Sequence, residues 1–277
     1  MKFSQKLDQA IIDNNSLLCV GLDPDMDKIP AGFKAEEHPL FEFNKAIIDA
    51  THDLVCAYKP NSAFYEALGD FGVHQLKLTV EYIQTYHEHC PVILDAKRGD
   101  IDSTNNGYSD FAFDYLNVDA ITLQPYLGSE ALQPFLNHSD KGCIILCRTS
   151  NKGAGEFQDL VIANEAKQSQ PLYLEVAKQV STSWNTNNNC MLVVGATYPE
   201  ELKKIREVVP DMFFLVPGIG TQGGDIEATL GNGLRKDKSG LIISSSRAIL
   251  YASSDEDFAE KAREKAMATR DELNKYR

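Results

Sequence analysis

Apolar residues along this chain fall into two periods. Short, nearly continuous hydrophobic runs recur, each closed by turn or charged residues: Leu17 to Leu22, Leu54 to Lys59, Val92 to Lys97, Ala120 to Pro125, Cys143 to Thr149, Met191 to Ala196, Phe213 to Gly218 and Leu241 to Ser246. Short runs without alternation are what a parallel strand buried on both faces requires. Between most of them the apolar spacing changes to three and four, the period of an amphipathic helix. Phe3 to Asn14 shows it through Phe3, Leu7, Ala10 and Ile11. Phe41 to His52 shows it through Phe43, Ala46, Ile47 and Ala50, and Val73 to His89 through Leu76, Val80 and Ile83. Pro199 to Val209 opens on proline, which suits a first helical turn because the N–H it lacks would have no partner there. A last helix is expected from about Asp255 to Tyr276. Ser254 is its expected N-cap, Asp255, Glu256 and Asp257 complement its dipole, and Phe258, Ala262, Ala266, Thr269 and Leu273 form its stripe.

Eight buried strands alternating with helices predict a (β/α)8 TIM barrel, here with an extra N-terminal helix and one domain over residues 1–277. The length would also hold two domains, but no linker rich in Pro, Gly or Ser divides the chain. A doubly wound sheet is the alternative. It would want a glycine-rich dinucleotide loop after the first strand, and Gly21 stands alone there. The longest insertion, Asn151 to Gln170, follows the fifth strand and is expected on the rim of the active site as a candidate lid. Asn185 to Asn189 reads as a polar turn on the opposite face.

Composition narrows the function classes. Hydrophobic residues make up 43% and charged residues 24% of the chain, ordinary for a soluble globular protein. No apolar run approaches the ~18 residues of a membrane span. The net charge of −13 argues against general nucleic-acid binding, which wants a basic face, but leaves a small anionic ligand open. Lys2 and Lys6 are followed by Asp8 and Asp13 before any apolar run, which does not read as a signal peptide, so the cytoplasm is expected. The six cysteines form no CxxC pair and read as small hydrophobes rather than disulfides.

In such a barrel, chemistry lives at the C-terminal strand ends. The first strand ends at Asp23 and the second at Lys59. The third ends at Asp95 and Lys97, which share a face of an extended strand, and Asp100 follows. Surface ion pairs explain one such residue easily, but not acid and base alternating over three consecutive strand ends. A second cluster lies near the other end of the chain. The seventh strand runs into a glycine-rich loop, Pro217 to Asp225, and the eighth ends at Ser244-Ser245-Ser246-Arg247. Loops after these two strands commonly bind phosphate, and Arg247 can fork onto phosphate oxygens. His87 and His89, two apart on an expected helix, should point apart and so make a poor metal site. Arg98-Gly99-Asp100 spells an adhesion tripeptide that has no meaning inside a cell. Trp184, in a helix after the long insertion, reads as core.

The run Leu94-Asp95-Ala96-Lys97-Arg98-Gly99-Asp100-Ile101 with Thr104 resembles the signature of the orotidine 5′-phosphate decarboxylases, in their longer-chain bacterial branch. Supporting segments follow in order along nearly the whole chain: Val20 to Pro24, Tyr58 to Asn61, Arg148 to Asn151, the Pro217 to Asp225 loop, and Ser246-Arg247. The resemblance implies that orotidine 5′-phosphate loses CO2 to give uridine 5′-phosphate in de novo pyrimidine biosynthesis, with neither cofactor nor metal. It implies that Lys97 protonates C6 of the pyrimidine and that Asp95 sits beside the leaving carboxylate. Lys59 and Asp23 would contact the ribose hydroxyls and complete a charged chain. Ser150 would touch the pyrimidine edge, Pro217 would lie near the base, and Gln222 and Arg247 would hold the phosphate. Asp100, Ile101 and Thr104 would reach into the neighbouring subunit of a homodimer with shared sites. The shorter-chain branch has glycine before the phosphate arginine, where this chain has Ser246.

Three other readings remain. A 3-keto-gulonate-phosphate decarboxylase or hexulose-phosphate synthase shares the Asp-x-Lys arrangement and the phosphate site but uses Mg²⁺. A sugar-phosphate isomerase could occupy the same barrel. A non-catalytic nucleotide-phosphate sensor would bind without turnover and would need no alternating lysine and aspartate.

Overall fold

The computed structural model describes residues 1–161, 170–219 and 223–277. Its strands are β1 (Leu18–Leu22), β2 (Ala57–Pro60), β3 (Ile93–Arg98), β4 (Ala120–Leu123), β5 (Gly142–Arg148), β6 (Cys190–Val194), β7 (Phe214–Val216) and β8 (Leu241–Ser245). Each falls within one of the apolar runs or extends it by a residue. All pairings are parallel, in the order β2-β1-β8-β7-β6-β5-β4-β3. The ring closes between β2 and β3 through two isolated bridges, Tyr58 with Val92 and Asn61 with Asp95. This is the expected TIM barrel, with an almost continuous belt of backbone hydrogen bonds.

Helices α1 (Phe3–Asp13), α2 (Pro39–Thr51), α3 (Ser62–Glu66) and α4 (Gly69–Tyr86) accompany the first two strands, and α5 (Asp102–Ser109) and α6 (Gly128–Leu136) follow β3 and β4. Beyond β5 come α7 (Gly155–Gln158), α8 (Leu172–Gln179), α9 (Pro199–Val208), α10 (Ile226–Gly233), α11 (Arg247–Leu250) and α12 (Phe258–Asn274). Phe3, Leu7, Ala10 and Ile11 are buried, so α1 is the extra helix its spacing predicts, laid across the bottom of the barrel. Gly142 at the start of β5 makes room for it, because a Cβ there would meet the Phe3 ring. Lys6 adds an ion pair with Asp119, whose carboxylate also accepts from the Val92 N–H. On α12 the buried positions are Phe258, Ala262, Ala266 and Leu273, as the stripe requires. That helix starts at Phe258 rather than Asp255, and Ser253, not Ser254, makes the bonds before it, to Asp257 and from the Asp255 N–H.

The core is continuous from α1 through the strands to α12. All six cysteines are free and buried in it. Burial pushes the thiols of Cys19, Cys90, Cys147 and Cys190 up to about 12, which leaves them as inert small hydrophobes. Trp184 packs against the edge of the core. Among the described residues, no helix is long and apolar enough to cross a membrane.

Candidate active site

The C-terminal strand ends surround a cavity of about 520 Å³. Asp23, Lys59, Asp95, Lys97, Ser150, Pro217 and Arg247 line it, so one space gathers residues contributed by six of the eight strand ends or the loops after them. Its deeper wall is apolar, formed by Leu146, Val193 and Leu215, and Ser244 to Ala248 lie along one side.

The ionic residues form one connected group. Lys59 is buried and donates from Nζ to Asp95 Oδ2 at 3.1 Å, while Lys97 donates to Asp95 Oδ1 at 2.5 Å. Asn61 adds a longer bond to Asp95 Oδ2 at 3.4 Å. Burial alone would lift the Asp95 pKa, but the Lys59 and Lys97 charges outweigh it and hold the carboxyl well below the usual carboxylate range. Burial likewise works against the Lys59 ammonium. Asp95 and then Asp23 reverse that sign and raise Lys59 above the ordinary lysine value. Three ions that would be costly singly are therefore retained together.

Lys97 sits in an unusual backbone. Its φ is +48°, a left-handed conformation that costs a non-glycine residue of order 1–3 kcal/mol. The β3–β4 register explains it. Leu94 pairs with Ile121 and Arg98 with Leu123, so Asp95, Ala96 and Lys97 together face Thr122 alone. This bulge turns the Lys97 side chain into the cavity, where it is half exposed while Lys59 is enclosed.

Asp23 acts on Lys59 as a nearby charge and makes its own bonds elsewhere. The Asn61 N–H donates to its Oδ1 at 3.1 Å and Ser246 Oγ donates to its Oδ2 at 2.7 Å. Gly21 permits the second contact, since a Cβ there would lie 2.7 Å from Ser246 Cβ. Ser246 thus ties the end of β8 to the end of β1.

On the opposite side, the Thr149 hydroxyl is taken up by Asn151 Oδ1 and Gln158. Ser150 Oγ has no partner among the described residues, and Ser150 and Thr149 both line the cavity. Ser150 packs close to Gly195, where any Cβ would collide with it. Arg148 fixes this segment from beneath. It is fully buried, pairs with Asp159 at 3.1 Å, donates to the Thr149 carbonyl at 3.0 Å and stacks on the Tyr198 ring. The insertion reaches the rim as expected, with Asn151 and Gln158 lining the cavity. Its positions 162–169 lie outside the described residues, as does Gln222.

Asp100, Ile101 and Thr104 are not among the residues lining their own cavity. The Asp100 carboxylate accepts from the Ile101 N–H, and Asn105 holds the loop by accepting from the Asp100 N–H. Ile101 is 58% exposed, and Thr104 lines a separate depression with Glu66, Arg98, Tyr108 and Phe111. Phe64, Leu68 and Phe71 after β2, and Tyr126 and Leu127 after β4, are exposed apolar residues on the same end of the barrel.

A family model for the Orotidine 5′-phosphate decarboxylase / HUMPS family matches residues 16–262. The chain belongs to this family. It is 52% identical over 276 residues to an orotidine 5′-phosphate decarboxylase of Cellvibrio japonicus, covering 99% of this chain and 98% of that one. It is 50% identical to that of Ralstonia nicotianae over the full length of both. Among solved structures, the OMP decarboxylase of Leishmania donovani superposes with a TM-score of 0.86 at 38% identity, covering 100% of this chain and 99% of the other. The UMP synthase of that organism superposes with a TM-score of 0.88 at 40% identity; this chain spans 56% of it.

Sequence reasoning passed over Thr122 and, though it quoted the segments holding Asn61 and Arg148, gave those two residues no role of their own. Thr122 lies inside the apolar run Ala120 to Pro125 and gives no signal of its own; for Arg148 the signal was a cation at the end of another run. The expectation for His87 and His89 is corrected. Helix α4 ends at Tyr86, so the two are not on a helix, and both rings approach His52, the His87 ring stacking at 4.3 Å. No group of three or more His, Cys, Asp or Glu among the described residues is arranged to hold a metal.

Proposed function

We propose that this chain, as one barrel domain over residues 1–277, decarboxylates orotidine 5′-phosphate to uridine 5′-phosphate in the cytoplasm without metal or cofactor. The observation that supports the reading is the Lys59–Asp95–Lys97 group sharing one cavity with Arg247. Loss of CO2 leaves an electron pair on C6 of the pyrimidine, and no cofactor spreads it. In this reading the Lys97 ammonium, which lines the cavity, stabilises that charge and then delivers its proton to C6. Asp95, kept ionised by two lysines, would face the substrate carboxylate in this reading, a like-charge contact that ends when CO2 departs. Lys59 and Asp23 take the ribose hydroxyls, Ser150 the pyrimidine edge, and Pro217 the side of the base. Arg247 and Gln222 hold the phosphate, whose binding energy is available at the reacting ring.

The active unit is a homodimer in this reading. The apolar residues after β2, β3 and β4 are the surface a second copy covers, which brings Asp100, Ile101 and Thr104 to the neighbouring cavity. The test is loss of the orotidine 5′-phosphate ultraviolet absorbance, run before and after exhaustive EDTA dialysis. Equal turnover in both arms is expected. Turnover restored only by Mg²⁺ would move the assignment to the keto-gulonate-phosphate type, and binding without turnover to a sensor.

A further inference from the structure

The bulge at Lys97 leaves backbone groups that the β3–β4 ladder cannot serve. Between the Leu94–Ile121 and Arg98–Leu123 pairs, three residues of β3 stand against one of β4. Thr122 is that one residue, and its side chain is 1% exposed. Its Oγ1 accepts from the Ala96 N–H at 3.0 Å and from the Lys97 N–H at 2.9 Å, and donates to Asp95 Oδ1 at 3.0 Å. A hydroxyl has two acceptor sites and one donor, so the full capacity of Thr122 is spent on three consecutive residues of β3. Two of those three carry the chemistry assigned above.

We infer that Thr122 is a positioning residue for decarboxylation, holding Lys97 in its left-handed backbone and fixing the Asp95 carboxylate between the two lysines. The inference rests on the reading of Lys97 as the proton donor. Left-handed backbone persists at a lysine only where its surroundings enforce it. The Lys97 N–H bond to Oγ1 is such an enforcement, because the same oxygen also holds the Ala96 N–H. The bond to Asp95 Oδ1 acts at the other end of the bulge. That oxygen is also the acceptor for Lys97, so Thr122 and Lys97 converge on one atom. A methyl group in place of the hydroxyl would leave two part-buried N–H groups without their acceptor and one carboxylate oxygen short of a donor, and would free the bulge to shift.

The test compares Thr122→Val, which keeps the shape and removes the hydroxyl, with Thr122→Ser, which keeps the hydroxyl. Both are measured for turnover of orotidine 5′-phosphate and for affinity for uridine 5′-phosphate, on protein shown to be folded by circular dichroism. A displacement of the donor by about 1 Å is enough for kcat to fall about 100-fold in Thr122→Val. The phosphate end lies on other strands, so affinity for uridine 5′-phosphate should stay within about threefold of the parent. Thr122→Ser should recover most of kcat. If Thr122→Val does not fold, Thr122→Cys replaces it under the same criteria. Parental kcat in the hydroxyl-free variant, a Ser variant as impaired as the Val variant, or kcat and affinity falling in parallel would each overturn the inference. Lys97→Ala is run alongside. An active Lys97→Ala protein overturns the donor reading itself, whereas an inactive one beside a fully active Thr122→Val overturns only the role of Thr122.

Discussion

The strand ends of β2 to β4 and those of β6 to β8 build the two sides of one cavity by opposite means. On the first side the groups are ions, and the backbone gives way to present them. The β2–β3 pairing is reduced to isolated bridges, and β3 bulges against β4. On the second side the pairings run in register, Leu192 with Phe214, Val193 with Leu215 and Val216 with Ile243, and the cavity is bordered by small residues and loops. Arg247 is the exception, and it sits just past the end of β8 rather than within a strand. Irregular backbone thus accompanies the ionic group of β2 and β3, while the wall built by β6 to β8 keeps regular pairing.

That contrast can be broken in order of expected effect. Lys97→Ala removes the ion from the irregular side and should lower kcat by up to about 10⁴-fold in a folded protein, as loss of a positioned acid would. Near-parental turnover would remove the distinction between the sides. The second test asks where Asp100 acts. Lys97→Ala and Asp100→Ala homodimers should each be nearly inactive. Mixing should restore activity toward about half of the sites in hybrid dimers, because two-fold symmetry leaves one site with both defects and one with none. No recovery after verified subunit exchange would assign Asp100 to its own chain.

Arg247→Ala probes the anchoring side. Loss of a charge-assisted phosphate contact should reduce kcat/KM for orotidine 5′-phosphate by about 10–100-fold. The corresponding nucleoside should react slowly and equally with parent and variant. Equal damage to both substrates would mean that the arginine does not serve the phosphate.

The smallest effect concerns acid. The pKa of Asp95 is lowered in the folded chain, so its contribution to stability is complete above the unfolded value, near 3.9, and is lost as pH falls through the lower folded value. The stability gap between parent and Asp95→Asn, measured by urea unfolding, should therefore narrow below about pH 4. A gap that stays constant down to the onset of acid unfolding would show that the ion pairs add nothing.

The two sides were also unequally legible. Asp23, Lys59, Asp95 and Lys97 stand out because an ionisable residue closing an apolar run has no packing reason to be there. Thr122 and Ser246 do not stand out, since hydroxyls are unremarkable in strands and turns; their meaning comes from the register of neighbouring strands, which periodicity cannot supply. The long helices were readable from their stripes. Helix α5, with the sequence Asp102-Ser103-Thr104-Asn105-Asn106-Gly107-Tyr108-Ser109, carries no apolar stripe, α6 contains Pro134, and α10 contains Gly231 and ends on Gly233. Each packs against a neighbouring helix, α5 on α6 and α10 on α9, which supplies what local preference does not.

The interrupted joint between β2 and β3 has a consequence for descent as well as for chemistry. Where backbone pairing lapses, Lys59, Asn61 and Asp95 clasp the ring across the gap. A descendant that neutralised Asp95 to accept a different substrate would loosen the barrel at its weakest joint in the same step. It would first need another clasp, by packing or by restored pairing, so ancestral architecture would limit which new activities single substitutions can reach.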